Sequence, residues 1–385
     1  MRAGLVVALV AFGQVAVAAE EAAPASPVPA TQPAPAARRV EAAAPAAPRR
    51  LQVRVLVDLQ AAPAPDDAPD VASGSGAVRD DRTAAARVRR ATLSAAGPLP
   101  GPFAFRLSFA AWEGAAVDDG RLRTARPRVL DSWLAFAPGP WLVVGAGELP
   151  VGLMRASLIE DADQPLFERP RFVDRLTPDR RLGGAAWGDL GMLAYRFGVY
   201  WAVPTWAVTG VAWPWDGPLI AGRLDIQPIG PSRVKHPGDP WFDRARLAIG
   251  AAALYEPGSD RQRLAFAADV TFTWRHLRLT GEALFVRVTA PGAERRSFGF
   301  SFEGTYRVWR TIEVEARHEW SDGNTREDPF GADLPREWAT TVGAAWLFLD
   351  DHVRLGAAYV HRESTLPSGP HGVADAVLLG LRAHY

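Results

Sequence analysis

The chain has 385 residues, a formal net charge of zero and no cysteine. Zero net charge argues against bulk electrostatic attraction to nucleic acid. The lack of cysteine excludes a disulfide framework, so backbone hydrogen bonds and packing must hold the fold. Lys235 is the only lysine, and every other permanently basic side chain is arginine.

The first eighteen residues read as a secretory signal: Arg2, an apolar run from Ala3 through Val10 and onward, then Ala16-Val17-Ala18 as a small-x-small cleavage site. The mature chain is expected to begin near Ala19. Residues 19 to 50 are nearly all Ala, Pro and a few charged groups, too poor in large apolar side chains to bury a core. They are expected to be a flexible periplasmic leader. No later stretch reaches the roughly 18 apolar residues that a helical membrane span needs.

From Leu51 to the end the sequence alternates. Phe103, Phe105, Leu107 and Phe109 oppose Ala104, Arg106, Ser108 and Ala110; further on, Phe266, Ala268, Val270, Phe272 and Trp274 oppose Ala267, Asp269, Thr271 and Thr273. Ile312, Val314, Ala316, His318 and Trp320 oppose Glu313, Glu315, Arg317 and Glu319. The last residues repeat the pattern, with Val377, Leu379, Leu381, Ala383 and Tyr385 on one face and Leu378, Gly380, Arg382 and His384 on the other. One face is apolar and the other polar or small, which is the period of a β-strand.

A soluble sandwich alternates too, but three features point to a transmembrane barrel. The segments run to about 10 to 12 residues, long enough to cross a bilayer at a tilt. Aromatics gather near strand ends, as with Trp112, Trp201, Trp274, Trp309 and Trp320, where an interfacial girdle would place them. The polar face carries charges in mid-strand (Arg223, Glu282, Glu315, Arg317), which suits a wet lumen and is costly in a dry core.

The predicted fold class is therefore all-β, a transmembrane antiparallel barrel over residues 51 to 385. Sixteen strands are predicted, starting near 51, 86, 102, 128, 141, 181, 191, 217, 244, 263, 276, 296, 311, 337, 352 and 375. Tight connections alternate with longer ones at 60 to 85, 113 to 127, 150 to 180, 202 to 216, 289 to 295, 321 to 336 and 363 to 374. This asymmetry matches short periplasmic turns and long external loops. The Pro- and Gly-rich stretch 227 to 243 breaks it, and reads either as an unusual turn or as a miscount by two strands.

The connection 150 to 180 is not low in complexity. Phe167, Phe172 and Leu176 stand among Arg169, Arg171, Arg175, Arg180 and Arg181. Folding into the lumen would shelter the apolar groups, narrow the pore and set arginines where permeating ions shed water.

Several short motifs here carry a resemblance: Gly147-Glu148-Leu149-Pro150, Phe167-Glu168-Arg169-Pro170, and Leu176-Thr177-Pro178-Asp179-Arg180 followed by Leu182-Gly183. With Arg89-Arg90-Ala91 and Leu93, Ala221-Gly222-Arg223-Leu224, Glu282, His352-Val353-Arg354-Leu355 and Tyr359-Val360-His361, their order resembles the phosphate-selective porin O and P family over most of residues 51 to 385. The resemblance implies a sixteen-stranded, trimeric outer-membrane barrel whose third external loop folds inward as the constriction. Phosphate-specific members use a basic ladder with several lysines. Here Lys235 stands alone, so arginine forks would have to meet the anion.

Strand phase places Arg54, Arg90, Arg106, Arg196, Arg223, Arg278, Arg307, Arg317, Arg354 and Arg382 on the lumen wall. They form either an anion path or a set of cross-strand pairs with Asp58, Asp131, Asp225, Glu282, Glu303, Glu313, Glu315 and Glu319. The constriction arginines are Arg169, Arg171, Arg175, Arg180 and Arg181, offset in part by Glu168, Asp174 and Asp179. Histidines at 236, 276, 318, 352, 361, 371 and 384 show no metal-ligand spacing, and neither a phosphate-cradling loop nor a nucleophile elbow is present. The chain is thus expected to be a non-enzymatic porin of the Gram-negative outer membrane. It needs no cofactor or metal and passes small solutes passively, with a preference for anions such as phosphate. Its partners would be outer-membrane lipid and two further copies, with no nucleic acid. The rival expectations are a non-conducting barrel serving as adhesin or structural anchor, with 60 to 85 as a flexible tip, and a hydrolase sited on the external rim.

Overall fold

A computed structural model describes residues 52–62, 85–118, 121–123, 128–159, 164, 166, 168–201, 217–229, 242–259, 261–323, 336–349, 352–365 and 371–384. The expected signal, leader and tip at 60 to 85 fall wholly or mostly outside them.

Sixteen long strands follow one another: β1 (Gln52–Ala62), β2 (Ala85–Pro98), β3 (Phe103–Asp118), β4 (Arg128–Gly139), β5 (Leu142–Pro150), β6 (Arg180–Asp189), β7 (Leu193–Tyr200) and β8 (Leu219–Ile229). The second half holds β9 (Phe242–Pro257), β10 (Gln262–Arg275), β11 (Leu277–Ala290), β12 (Ala293–Trp309), β13 (Ile312–Asp322), β14 (Arg336–Phe348), β15 (Val353–Thr365) and β16 (His371–His384). A three-residue stub, Arg121–Arg123, pairs with the far end of β3 beside β4. Each strand pairs antiparallel with the next, and β1 pairs with both β2 and β16, so the sheet closes on itself. A closed sheet leaves no edge amide without a partner, which is what hydrocarbon demands.

The observed count equals the predicted one. β8 and β9 are direct antiparallel neighbours, so no strand pair separates them in the barrel wall; residues 230 to 241 lie outside the described set. One predicted connection is wrong in size. Residues 289 to 295 form a tight hairpin, with β11 running to Ala290 and β12 starting at Ala293. Pro291 fixes a turn-ready φ, and Gly292 takes the positive φ (+74°) that follows it, so Pro-Gly closes the hairpin in two residues.

The alternation reads out as two skins. Leu107, Phe109, Leu134, Phe266, Val270, Phe302, Leu379 and Leu381 are exposed on the outside, whereas Ala104, Ser108, Ala110, Ala267, Asp269 and Thr271 are buried on the inside. Trp141, Trp274, Trp309 and Trp346 are exposed near the short-turn end, where an amphipathic ring suits a lipid headgroup layer. Such an apolar outer band over a charged interior is the inverse of a soluble protein and is built for lipid.

Candidate functional site

The chain between β5 and β6 does not stand away from the barrel. Leu149 and Pro150 still pair with Arg181 and Arg180, and Val151 N donates to Asp179 O at 3.0 Å, so the stem of the connection is zipped. Gly152 then adopts φ +74°, which a side chain would resist, and its open Cα faces the Arg196 side chain of β7. Two short helices follow, α1 (Arg155–Leu158) and α2 (Arg171–Leu176).

Inward-facing wall residues hold this inserted segment from many sides. Arg155 of α1 reaches Asp269 (Nε to Oδ1, 2.6 Å) on β10 and Asp225 (Nη2 to Oδ1, 2.7 Å) on β8. Arg223 lies on the same two carboxylates, at 2.6 and 2.7 Å, and donates to Leu153 O at 3.4 Å. Ala156 N donates to Glu282 Oε1 on β11 at 2.8 Å. On the far wall, Arg382 of β16 donates to Gln164 O at 2.7 Å, and Arg317 of β13 donates to Glu168 O at 2.7 Å. Arg171 N donates to Glu319 Oε2 at 2.7 Å, and Arg175 Nη1 meets Glu337 Oε2 of β14 at 2.5 Å. These partners belong to strands spread around the ring, so the segment lies within the lumen, as its apolar content required.

Apolar packing fixes the same placement. Leu153, Met154, Phe172, Val173 and Leu176 are buried in one cluster with Trp187 and Tyr200 of the wall. Gly299 of β12 lets the Phe172 ring lie on the sheet backbone; a Cβ there would come within 2.6 Å of the ring. Burying a Phe, Leu or Met side chain contributes about 1.5–3 kcal/mol each. Packing and the polar anchors therefore point the same way.

Not all predicted constriction arginines present free charge to a path. Arg169 is buried, with Nη1 3.4 Å from Asp179 Oδ1 and Nη2 donating to Ile159 O. Arg180 pairs with Asp131 and Asp179, each at 2.7 Å. Arg171 and Arg181 are half-buried, and Arg175 is the only exposed one of the five. Asp174, its neighbour, is exposed as well. On the wall, Arg106 pairs with Asp131 at 3.2 Å, Arg354 with Glu313 at 2.9 Å and with Glu315, and Arg382 with Asp58 at 3.4 Å. Arg317 lies 3.7 Å from Glu303 and 3.8 Å from Glu319, Arg278 donates to Thr305 Oγ1 at 3.5 Å, and Arg196 and Arg307 are buried. Side chains of Arg54 and Arg90 are outside the described set. Cross-strand pairing thus accounts for much of the wall charge.

Strand phase missed the anchors contributed by the inserted segment itself: Arg155, the carbonyl of Gln164 and the amides of Ala156 and Arg171. A lone arginine inside the run Val151–Leu158 was the one available signal, since a charge there needs a carboxylate partner. Among the described residues, no group of three His, Cys, Asp or Glu side chains is placed to hold a metal ion.

Compared with protein-family models and with curated proteins, the sequence matches none. The resemblance to the phosphate-selective porin O and P family therefore rests on the short motifs alone. Solved structures do share the fold. The outer membrane channel DcaP of Acinetobacter baumannii aligns with a TM-score of 0.60 at 11% identity, covering 87% of this chain and 97% of that one. Salmonella typhi OmpF, solved in complex with daunomycin, aligns at 0.58 and 10% identity over 87% and 97%. Pseudomonas putida OprB aligns at 0.56 and 12% identity over 87% and 94%. Vibrio cholerae OmpT in a trimer form aligns at 0.55 and 11% identity over 87% and 99%. The fold is that of outer-membrane porin barrels.

Proposed function

We propose that the chain is a porin of the Gram-negative outer membrane, through which small solutes diffuse passively past the inserted segment. The observation that carries this reading is the segment Val151–Asp179, bonded to inward-facing side chains on β8, β10, β11, β13, β14 and β16 inside a barrel with an apolar skin. A barrel serving only as an anchor gains nothing from so costly an arrangement of desolvated ion pairs across its lumen. A channel gains a rigid constriction that does not collapse.

Selectivity is expected to come from the few charges left in contact with water, chiefly Arg175 and the half-buried Arg171 and Arg181. On this reading the anion preference is mild, because Arg169 and Arg180 serve as anchors and the wall arginines are matched by acids. Phosphate as the favoured solute has the motif resemblance behind it and nothing further. The active unit is proposed to be a homotrimer, a form in which one barrel of the same fold was solved. Reconstitution into planar bilayers tests the reading. Discrete conductance steps are expected, with a small anion-directed reversal potential in a salt gradient, and a silent bilayer at high protein load would leave only the anchor.

A further inference from the structure

The outward face changes character toward the long-loop end. On β12, Phe298 stands eleven residues from Trp309 of the short-turn end. That is about 36 Å of strand at roughly 3.3 Å per residue, or about 28 Å of height at a tilt of about 40°, enough to cross an apolar band about 25 Å tall. Phe298 therefore marks the upper margin of the band. It packs on Trp320 with ring centroids 5.8 Å apart, Phe300 stacks on Trp320 at 5.9 Å, and Trp320 is in register with Trp338. Phe300, His318, Trp320 and Trp338 line an open recess of about 430 Å³ in this outer surface.

Above the recess the face turns cationic. Arg296 lies two residues beyond Phe298, and Arg336 two residues beyond Trp338. Arg296 is directly opposite Arg287 of β11, a like-charge pairing that costs stability unless an anion lies between them. Glu294 supplies one: Arg287 Nη2 meets its Oε2 at 2.7 Å, and Arg296 Nε reaches its Oε1. Arg336 places Nη2 and Nε on Asp322 Oδ2, at 3.0 and 3.2 Å. Among the described residues of this rim, three guanidiniums thus meet two carboxylates, and the acids lie beneath. The arginine side chains are 44, 41 and 64% exposed, whereas Glu294 is 21% and Asp322 6% exposed. The two-residue turn at Pro291–Gly292 sets no loop between β11 and β12 over this surface. On β6 to β8 the upper outward positions are Leu182, Val199 and Ile220, exposed and uncharged.

We infer that the recess and its arginine rim hold a phosphorylated glycolipid of the external leaflet, with its phosphate on Arg287, Arg296 and Arg336 and its sugar on the faces of Phe300, Trp320 and Trp338. The inference rests on the membrane placement above and on the long-loop end being external. Charge and depth select this occupant. A guanidinium fork matches a phosphate's oxygens, and the rim sits at headgroup height, where amphipathic aromatic rings also belong. Lipid tails alone would leave the surplus positive charge unmatched.

Full-length protein in detergent micelles can be titrated with lipid A carrying both phosphates and with the same glycolipid after phosphate removal, bound lipid being counted by native mass spectrometry. Wild type is expected to retain the phosphorylated form at least about tenfold more strongly, because each basic group beside an anionic lipid surface strengthens the contact several-fold. The triple variant Arg287→Gln, Arg296→Gln, Arg336→Gln is expected to lose that preference, and the matching triple change to Lys to keep part of it. Glu294→Gln, which removes a competing acid, is expected to strengthen retention. Heat-modifiable mobility shows whether each barrel is closed; if the triple variant is not, Arg336→Gln alone is expected to weaken retention several-fold. Equal retention of both glycolipids by wild type, or an undiminished preference in a folded Gln variant, would overturn the proposal. So would displacement of the lipid by millimolar inorganic phosphate, which would assign the arginines to a free anion. Conductance is read separately. The rim faces away from the lumen, so a silent wild-type bilayer sinks the porin reading and leaves lipid retention where it was.

Discussion

The inner wall has two unlike halves. From β4 to β11 it packs an apolar seat around the inserted segment, with Trp133, Ala185, Trp187, Tyr200, Leu219, Leu254 and Leu284 buried there beside Leu153, Met154 and Phe172, and with the charges of Arg223, Asp225, Asp269 and Glu282 set among them. From β12 to β16 the inward positions instead carry Arg307, Glu313, Glu315, Arg317, Glu319, Arg354 and Arg382. The first half supplies the seat for the segment, and Arg155, sharing two aspartates with Arg223, is its ionic pin. The second half mostly neutralises itself across strands and reaches the segment through main-chain carbonyls, one amide and the Arg175–Glu337 ion pair. Carbonyl contacts fix position without contributing net charge. The narrow region is therefore shaped by the apolar half, and its electrostatics are muted by the charged half.

Removing the ionic pin should separate the halves most clearly. Arg155→Met leaves Asp225 and Asp269 buried with only Arg223 between them, and breaking a buried pair from one side costs about 3–5 kcal/mol. The loss should fall on segment docking rather than on barrel closure. Limited proteolysis should cut within residues 151 to 179 while the barrel keeps its heat-modifiable mobility on gels, and conductance should rise. Arg354→Met is the matched change on the opposite wall. It strands Glu313 and Glu315 and should cost about 3 kcal/mol of barrel stability. The segment should stay protected from protease, because Arg354 makes no described bond to it. If both variants open the segment equally, the division of labour between halves is wrong.

A third variant acts through shape alone. Gly299→Val drives a side chain into the space of the Phe172 ring, an overpacking cost of about 1–3 kcal/mol. Protease sensitivity should rise less than for Arg155→Met, and the paired change with Phe172→Ala should recover part of the loss, a coupling that a double-mutant cycle measures.

Strand number, strand phase and the inward fold of the long connection were legible because each depends on period-two alternation or on local composition. What sits opposite what was not legible. Alternation says that Arg223 and Arg354 face inward; it does not say that one shares two aspartates with a loop arginine and the other spans Glu313 and Glu315. Arg155 escaped notice because a four-residue helix has no period. His318 passed as a member of an apolar row, since its neighbours Val314, Ala316 and Trp320 set the face and hid the exception. The hairpin at Pro291–Gly292 was overdrawn: the expected connection 289 to 295 took in residues 293 to 295, which pair with β11 and continue β12 toward the long-loop end.

The smallest energetic change should carry the clearest electrical readout. Arg175 is about one-third exposed, so its pair with Glu337 contributes under about 1 kcal/mol to stability, and Arg175→Gln should leave thermal unfolding nearly unmoved. Yet it removes the most water-exposed cation of the inserted segment while Asp174 and Glu337 remain. The reversal potential in a salt gradient should then move toward cations, more than after Arg180→Gln, whose charge is already held between Asp131 and Asp179. Equal shifts from the two would mean that buried, paired arginines set the field after all. In that case the buried, paired arginines, and not the exposed edge of the segment, would govern selectivity.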